Sequence, residues 1–421
     1  MHVAIVGPVA TADIRHLLDD ETSNLPAGYS GAPLLVTLIA ELLRRGHRVT
    51  ALTLSWGMPL DWRQPVHAKS GNLEMVFVPM RRRAWQPNGG RLGRVLDLYA
   101  FERRGLQYAI EQAAPDVVHA HWSYEFAWAA QGSGLPTLIT CHDSPFLVAR
   151  MSSWSRPTRS AYRWLRAGMA WHVLRHATHV TAVSPYMQAQ AQPLCKCPIT
   201  VVPNPLPHTL SDTPGQRVRQ PDQYAPVLAM VANGWDKRKN PAPALQAFSR
   251  LRIHKPGARL RMYGADFGPG EKAEQWARQH GVAEGMEFIG RVPYGRLLDE
   301  LADADVLVHS SLEETFGMSI AEAMALSIPV VGGAHSGAVP WVVGMGGVLT
   351  DVTSAAAIEQ AILDLLDVPE RYRAAAAAAR ARVREHFTVA KVADAYEAIY
   401  QQIAEKWVRN ELTSVTSITS L

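Results

Sequence analysis

The sequence predicts two doubly wound α/β domains in series. Three observations predict this. Short β-branched runs alternate with helical stretches, the pattern of βαβ units on a parallel sheet. The alternation breaks over a proline-rich interval near the middle and then restarts. At 421 residues the chain is also too long for one ordinary core.

In the first half the reading places strands at 2–6, 49–54, 75–78, 117–120, 137–140, 179–183 and 199–202. Helices are expected at 33–45, which stops before Gly46, and around 96–113. Residues 203–226 carry Pro205, Pro207, Pro214 and Pro221 with few large apolar side chains, and read as a linker. The second half restarts with strands at 227–231, 259–263, 286–289, 306–309 and 330–331. Helices follow these strands, and two more close the half at 355–366 and 369–386. The expected domains are therefore 1–205 and 226–386, facing one another across a cleft formed by their strand C-termini. A further helix begins at 389. Residues 387–409 are expected to pack back on the first domain, and the Ser/Thr-rich tail 410–421 to be disordered.

Composition narrows the class. Apolar residues make up 48% and charged residues 19%, ordinary values for a globular protein. Three cysteines cannot build a disulfide framework, and Cys195-Lys196-Cys197 alone offers too few ligands for a structural zinc. A reducing compartment is expected. No apolar run approaches the roughly 18 residues of a membrane span, and the first residues lack the marks of a signal peptide. The expected location is the cytoplasm, with the inner membrane face left open. That option comes from charge distribution. From Ser144 to Ser211 there is no acidic residue, while Arg150, Arg156, Arg159, Arg163, Arg166 and Arg175 interleave with Trp154, Tyr162, Trp164, Met169 and Trp171. Arg81-Arg82-Arg83 forms a second basic knot. Such fields suit an anionic lipid surface or an acceptor phosphate, and a solvated helix face remains the alternative. Nucleic acid is not an expected partner.

The most informative segment is SSLEETFGMSIAEAMALSIPVVGG, Ser310–Gly333. A buried strand ends and a loop with two carboxylates follows. Gly317 then permits close backbone approach, and a helix starts whose first amides, at Met318 and Ser319, suit an anion such as a diphosphate. Glu322 lies over a turn inside that helix, where it can accept from a vicinal diol. Glu314 stays in the loop, within reach of a group beyond the phosphates. An exposed helix charge and a cap are the plainer readings of these two glutamates.

This segment resembles the E-x7-E signature of the retaining glycosyltransferases of family 4, with Glu314 and Glu322 on its two glutamates. VSPYM (183–187) and VVPNP (201–205) also read like members, so the resemblance covers most of the chain. It implies the GT-B fold, two Rossmann-like domains, and an enzyme that transfers a hexose from a nucleotide diphosphate. Under it, Glu314 contacts the donor sugar and Glu322 the ribose, with Phe316, Gly317, Met318 and Ser319 around the donor. VANGWDKRKNP (231–241) places Lys239 on the donor diphosphate. The arginine that usually accompanies it is replaced by Gly234, with Arg238 the nearest substitute. The family glycine after the motif helix is Ser327, which must adopt the turn under strain or shift the helix end, and a frequent glutamate is Trp341.

In the first half, strands end in DVVHAHW and LITCHD. His142-Asp143 resembles the segment whose histidine meets the donor sugar's hydroxyls. His119 and His121 alternate across a strand end, so one can face the cleft. His121 is favoured for the acceptor, with Asp143, and His119 reads as a core histidine. A metal reading of these histidines is weak, since no H-E-x-x-H pair accompanies them. The long loop from Gly7 to Gly31 carries Gly28-Tyr29-Ser30-Gly31, placed by the resemblance near diphosphate (Gly31) and acceptor (Tyr29). His142, Glu314 and Lys239 are thus the expected catalytic set. No metal or other cofactor is expected. The donor would be a UDP- or GDP-sugar, and the acceptor a glycan, glycolipid or small molecule of bacterial surface polysaccharide synthesis. A sugar-nucleotide 2-epimerase of the same fold and a non-catalytic carbohydrate-binding protein are the alternatives. A nicotinamide-dependent oxidoreductase is disfavoured because GPVATA lacks the G-x-G-x-x-G fingerprint.

Overall fold

The computed structural model describes residues 1–19, 24–61, 64–151, 157–211, 221–222 and 224–418. Trp154 and Arg156 of the basic stretch, most of the proline-rich linker and the last three residues of the expected tail lie outside the described residues.

The chain divides into two units, Met1–Pro205 with Val389–Leu421, and Leu206–Thr388. The first unit is built on eight strands: β1 (His2–Val6), β2 (Arg48–Ser55), β3 (Val66–Ser70), β4 (Leu73–Pro79), β5 (Val117–His121), β6 (Thr137–Cys141), β7 (Val180–Ala182) and β8 (Ile199–Val201). Their order is β3-β4-β2-β1-β5-β6-β7-β8, parallel except for β3, which pairs antiparallel with β4. The sequence reading missed β3. A two-residue Gly71-Asn72 turn, with Gly71 at φ 53°, folds it onto β4. The sheet is buried on both faces, mostly by apolar side chains, as helical layers require, with His119, Thr140 and Thr181 among its buried polar residues. The helix Pro33–Arg44 buries Leu35, Val36, Leu38, Ile39 and Leu42 on one face, begins with proline at its first position and ends before Gly46 at φ 86°.

The second unit has six parallel strands: β9 (Val227–Val231), β10 (Arg259–Tyr263), β11 (Met286–Gly290), β12 (Val306–His309), β13 (Val330–Gly333) and β14 (Gly347–Thr350). Their order, β11-β10-β9-β12-β13-β14, reverses direction between β9 and β12. That is the topological switch point where open α/β sheets bind ligands.

The helix Val389–Ile418 returns to the first unit. Val392, Ala393, Tyr396, Tyr400 and Ile403 enter its core, and Arg45 reaches Asp394, Glu397 and the carbonyl of Ala390. Helix continues to Ile418, where the sequence reading placed a disordered tail from 410. No glycine or proline lies between Val389 and Ile418 to stop it. The expected linker is also shorter at its start. Leu206 is fully buried, its amide donates to Phe387 O at 2.8 Å, and it pairs with Thr388.

The expected basic field is thinner than its composition. Arg81 is buried, with its guanidinium on Glu102 (2.6 Å) and Asp97 (2.8 Å). Arg166 pairs with buried Glu125 and lies 3.7 Å over the Tyr124 ring. Both arginines hold the interior together rather than facing an anion, and Met169 is core. The exposed face of the helix Pro157–His176 keeps Trp164, Leu165, Trp171 and Arg175. Among the described residues no helix is long and apolar enough to cross a membrane.

Candidate active site

In the second unit, two loops meet at the switch point. One follows β9 (233–240) and the other follows β12 (310–317). Leu312 N donates to Arg238 O at 2.8 Å, Ser310 Oγ to Lys239 O at 3.1 Å, and Asn240 Nδ2 to Ser310 O at 3.3 Å. Asn240 takes φ 47° to start the helix Pro241–His254, a conformation asparagine tolerates. The stitching fixes Lys239 Nζ 2.5 Å from Glu314 Oε1. His309, at the end of β12, lies 3.6 Å from the same oxygen. Burial alone would raise the Glu314 pKa, but the neighbouring His309 and the Lys239 charge outweigh it and hold the carboxyl well below the usual range. Glu314 is ionised. Arg238 makes a looser contact, 3.7 Å from Glu313, and is 35% exposed at its side chain.

Gly317 stands at φ 95° as the cap of the helix Met318–Ala325; a Cβ there would press on Ile320 at 2.9 Å. The Met318 and Ser319 amides, in the first turn, lack intrahelical acceptors by geometry and suit an anion. Glu322 sits one turn further in and is 6% exposed. Burial pushes its carboxyl up to about 7, opposed by the Tyr294 hydroxyl, which donates to Oε1 at 3.0 Å. Phe316, expected around the donor, instead packs its ring edge-on against Phe387 (5.3 Å) and Trp341 (6.3 Å). It is core because the loop needs an apolar anchor beneath its charged face. Trp341, standing where the resemblance implies a glutamate, completes that aromatic cluster. Ser327 does adopt the left-handed turn, at φ 62°, and its amide bonds Met324 O while that of Ile328 bonds Ala323 O.

Beside these loops, at the ends of β9, β10 and β11, a cavity of about 360 Å³ is lined by Asn233, Tyr263, Gly264, Arg291, Val292 and Leu297 among others. Gly264 is obligatory in its wall, since a Cβ would lie 1.9 Å from Ala232 O. Tyr294 follows this wall by two residues and joins it to Glu322.

The first unit gathers a different set at the ends of β1, β5 and β6. His121 Nδ1 and His142 Nε2 are 2.9 Å apart, one donating to the other. Trp122 stacks on His142 with ring centroids 4.3 Å apart and holds φ 64°, an uncommon conformation for a bulky residue. Burial lowers the His142 pKa to about 3, against a hydrogen bond with Asn204 that raises it, so the ring is neutral. His121 is only 1% exposed, and its pKa is likewise well below the ordinary value through burial and the neighbouring histidines. Expected to touch the acceptor, it lies behind His142 instead, because its strand end is covered by neighbouring rings. His119 bonds Tyr400 OH at 2.6 Å and Thr140 Oγ1 at 2.7 Å, a satisfied core histidine as read. Asp143 accepts from Tyr124 OH at 2.9 Å, and burial raises its carboxyl pKa despite that bond and Arg166. Tyr29 is half-buried against Trp56 (5.7 Å) and Phe126 (6.2 Å), and Gly31 follows at φ 125° in open space.

Sequence reasoning did not find Tyr294, His309 or Trp122 as site residues. Tyr294 and His309 reach the glutamates only through tertiary contacts. Trp122 stood in a quoted strand end, but nothing local announced its backbone conformation. Among the described residues, no group of three or more histidines, cysteines or carboxylates is placed to hold a metal ion.

Two doubly wound α/β units in one chain, the second with an anion-ready helix start between two glutamates, match the GT-B class of fold. Comparisons with known proteins agree. Residues 33–210 match the model "Glycosyltransferase Family 4" and residues 217–382 the model "Glycosyl transferases group 1". A glycogen synthase of Mycobacterium tuberculosis is 28% identical over 293 residues, 68% of each chain. The sucrose-phosphate synthase of Thermosynechococcus elongatus superposes with a TM-score of 0.71 at 18% identity, over 96% of this chain and 99% of that one. Anabaena HepE, in complex with UDP and glucose, does so with a TM-score of 0.60 at 19% identity, over 97% and 100%. The chain belongs to glycosyltransferase family 4, and it is a hexosyltransferase.

Proposed function

We propose that this enzyme moves a hexose from a UDP- or GDP-sugar to a carbohydrate or lipid-linked acceptor with retention of anomeric configuration and without a metal. The observation that carries the reading is the Lys239–Glu314 contact set before the start of the helix Met318–Ala325, with Glu322 one turn inside it. The base would enter the 360 Å³ cavity, a volume suited to it. Its ribose hydroxyls would donate to Glu322. The diphosphate would meet the Met318 and Ser319 amides and Lys239, with Arg238 on the flank. Glu314 and neutral His142 would orient the sugar hydroxyls, and Asp143 and Tyr29 the acceptor.

In the step itself the bond from the anomeric carbon to the diphosphate oxygen breaks, while the acceptor hydroxyl oxygen bonds to that carbon on the same face. The acceptor's proton passes to the departing phosphate. Lys239 and the helix start supply fixed positive charge where negative charge grows, the role a metal plays in other transferases. A panel of UDP- and GDP-sugars, incubated with EDTA present, tests this. One donor should be consumed with its anomeric configuration retained and turnover within about twofold of the EDTA-free rate. An inverted product, or an absolute need for magnesium or manganese, overturns the proposed chemistry.

The acceptor side supports a place in bacterial surface polysaccharide synthesis at an anionic membrane. Its support is the exposed row Trp164, Leu165 and Trp171 with Arg159 and Arg175 beside it. Co-sedimentation with anionic vesicles should occur at low salt and fade as salt rises. Equal sedimentation with neutral vesicles removes that placement.

A further inference from the structure

A pair of reactive side chains that the transfer chemistry leaves unused lies at the edge of the first unit's sheet. A short 3-10 turn, Gln192–Leu194, is followed by Cys195-Lys196-Cys197 and then by the edge strand β8. The turn is held rigidly. Cys195 N donates to Gln192 O at 3.1 Å, Gln192 Nε2 to Cys197 O at 2.9 Å, and Ile199 N to Gln192 Oε1 at 3.0 Å. Gln188 Nε2 adds a bond to Ile199 O at 2.6 Å. Within this clasp the two Sγ atoms stand 3.2 Å apart, and both residues are partly exposed.

We propose that Cys195 and Cys197 form a dithiol modification site that reacts with small disulfides and closes to an intramolecular disulfide. Cys195 is the attacking thiol. The Cys197 thiol and the backbone amides of Lys196 and Cys197 hydrogen-bond its sulfur and bring its pKa down to about 7 against the effect of burial. Cys197 is pushed the other way, so the two thiols have distinct roles.

In the first step the Cys195 thiolate attacks one sulfur of the reagent. The reagent's S–S bond breaks, and one small thiolate leaves and takes a proton from water. Cys197 then gives up its proton and attacks the Cys195 sulfur of the mixed disulfide. The second small thiolate leaves and is protonated. Two protein thiols have become one disulfide, and both electrons reside on the reagent as two thiols. The sulfurs must approach by only about 1 Å to reach bonding distance. The third thiol, Cys141, is buried and its pKa is raised by burial, which makes it an internal reference that should stay reduced.

Incubation of the whole protein with glutathione disulfide, followed by unfolding and thiol counting, tests the site. The count should fall from three to one, and the peptide carrying residues 195 and 197 should lose the mass of two hydrogens. Cys197→Ser should stop at a stable mixed glutathione adduct on Cys195, while Cys195→Ser should react at least tenfold more slowly. Three thiols remaining in the wild type, or disulfide-linked dimers in its place, overturn the proposal. So does faster adduct formation in Cys195→Ser than in Cys197→Ser. The wild-type count decides the matter even if a variant fails to fold.

Discussion

The two units present opposite electrostatic solutions at their strand ends. In the second, the polar groups are charged and paired: Lys239 on Glu314, Arg238 near Glu313. In the first they are neutral: His142, His121 and His119 are buried together, each with its pKa lowered. Fixed charge belongs where a leaving group gains charge, and neutral donors and acceptors suffice where hydroxyls must be oriented. The contrast teaches that burial alone does not decide ionisation. Glu314, in the loop before the helix Met318–Ala325, and Glu322, within that helix, are similarly enclosed. The first keeps its charge through Lys239 and His309, while the second, with only a phenol for a partner, hovers near neutrality.

Removing the lysine should break this contrast most severely. Lys239→Ala deletes the cation that the proposed chemistry sets opposite the leaving diphosphate and leaves Glu314 without its main counter-charge, so kcat should fall by roughly 10²–10³ in steady-state assays. A loss confined to KM would mean that Lys239 binds ground and transition states alike.

The two glutamates sharpen it next. Glu314→Gln should depress kcat, whereas Glu322→Ala should raise donor KM and leave kcat largely alone. Only Glu322 should also give a pH limb. In the proposed complex the ribose hydroxyls would donate to its ionised form, so donor KM should rise by up to about tenfold per pH unit as the pH falls below 7. Tyr294→Phe removes the donor that favours the carboxylate and should shift that limb to higher pH, by roughly one unit. In the empty protein the sign is opposite. The folded pKa lies above the ordinary 4.5, so the carboxyl's contribution to stability is complete below 4.5 and fades as the pH rises through 7. Glu322→Gln should therefore raise the melting temperature at pH 8 more than at pH 5. His142 runs the other way: its folded pKa of about 3 lies below 6.5, so its contribution is present above 6.5 and is lost on acidification. A limb in KM that survives Glu322→Gln would assign the titration elsewhere.

The smallest effect concerns backbone alone. Ser327 holds φ 62° where glycine is the usual residue, and its Oγ is buried without a hydrogen-bond partner among the described residues. Ser327→Gly should stabilise the second unit by about 0.5–1 kcal/mol in denaturant titrations, with kinetics unchanged. A destabilised variant would show that the hydroxyl contributes more than the turn costs.

Ser327 also marks how far the sequence could be read. Its turn was expected from the family resemblance, which implies a glycine just after the motif helix, a position next to that helix in the chain. The start of the helix Pro33–Arg44 and the spacing of Glu314 and Glu322 are local features as well. What escaped the reading is nonlocal. Arg81 and Arg166 looked like surface charge because their partners Glu102 and Glu125 are distant in the chain. Phe316 sits inside the motif, yet its ring belongs to a cluster closed by Phe387, some seventy residues on. Tyr294 meets Glu322 only because the helices that follow β11 and β12, strands of one sheet, come together there. The tail was misjudged for another reason: Ser and Thr discourage a helix weakly, and nothing stronger ends this one.

The return of the helix Val389–Ile418 to the first unit has a consequence for how the protein is made. Tyr400 supplies the bond to His119, Tyr396 lies tilted against the same ring, and Arg45 waits for Asp394 and Glu397. The unit synthesised first is therefore the one finished last. On the ribosome, the uninterrupted second unit can acquire its whole core while the first still exposes the seam that this helix will fill. Translation order and folding order are inverted, and the nascent first unit depends on delayed closure rather than on early independence.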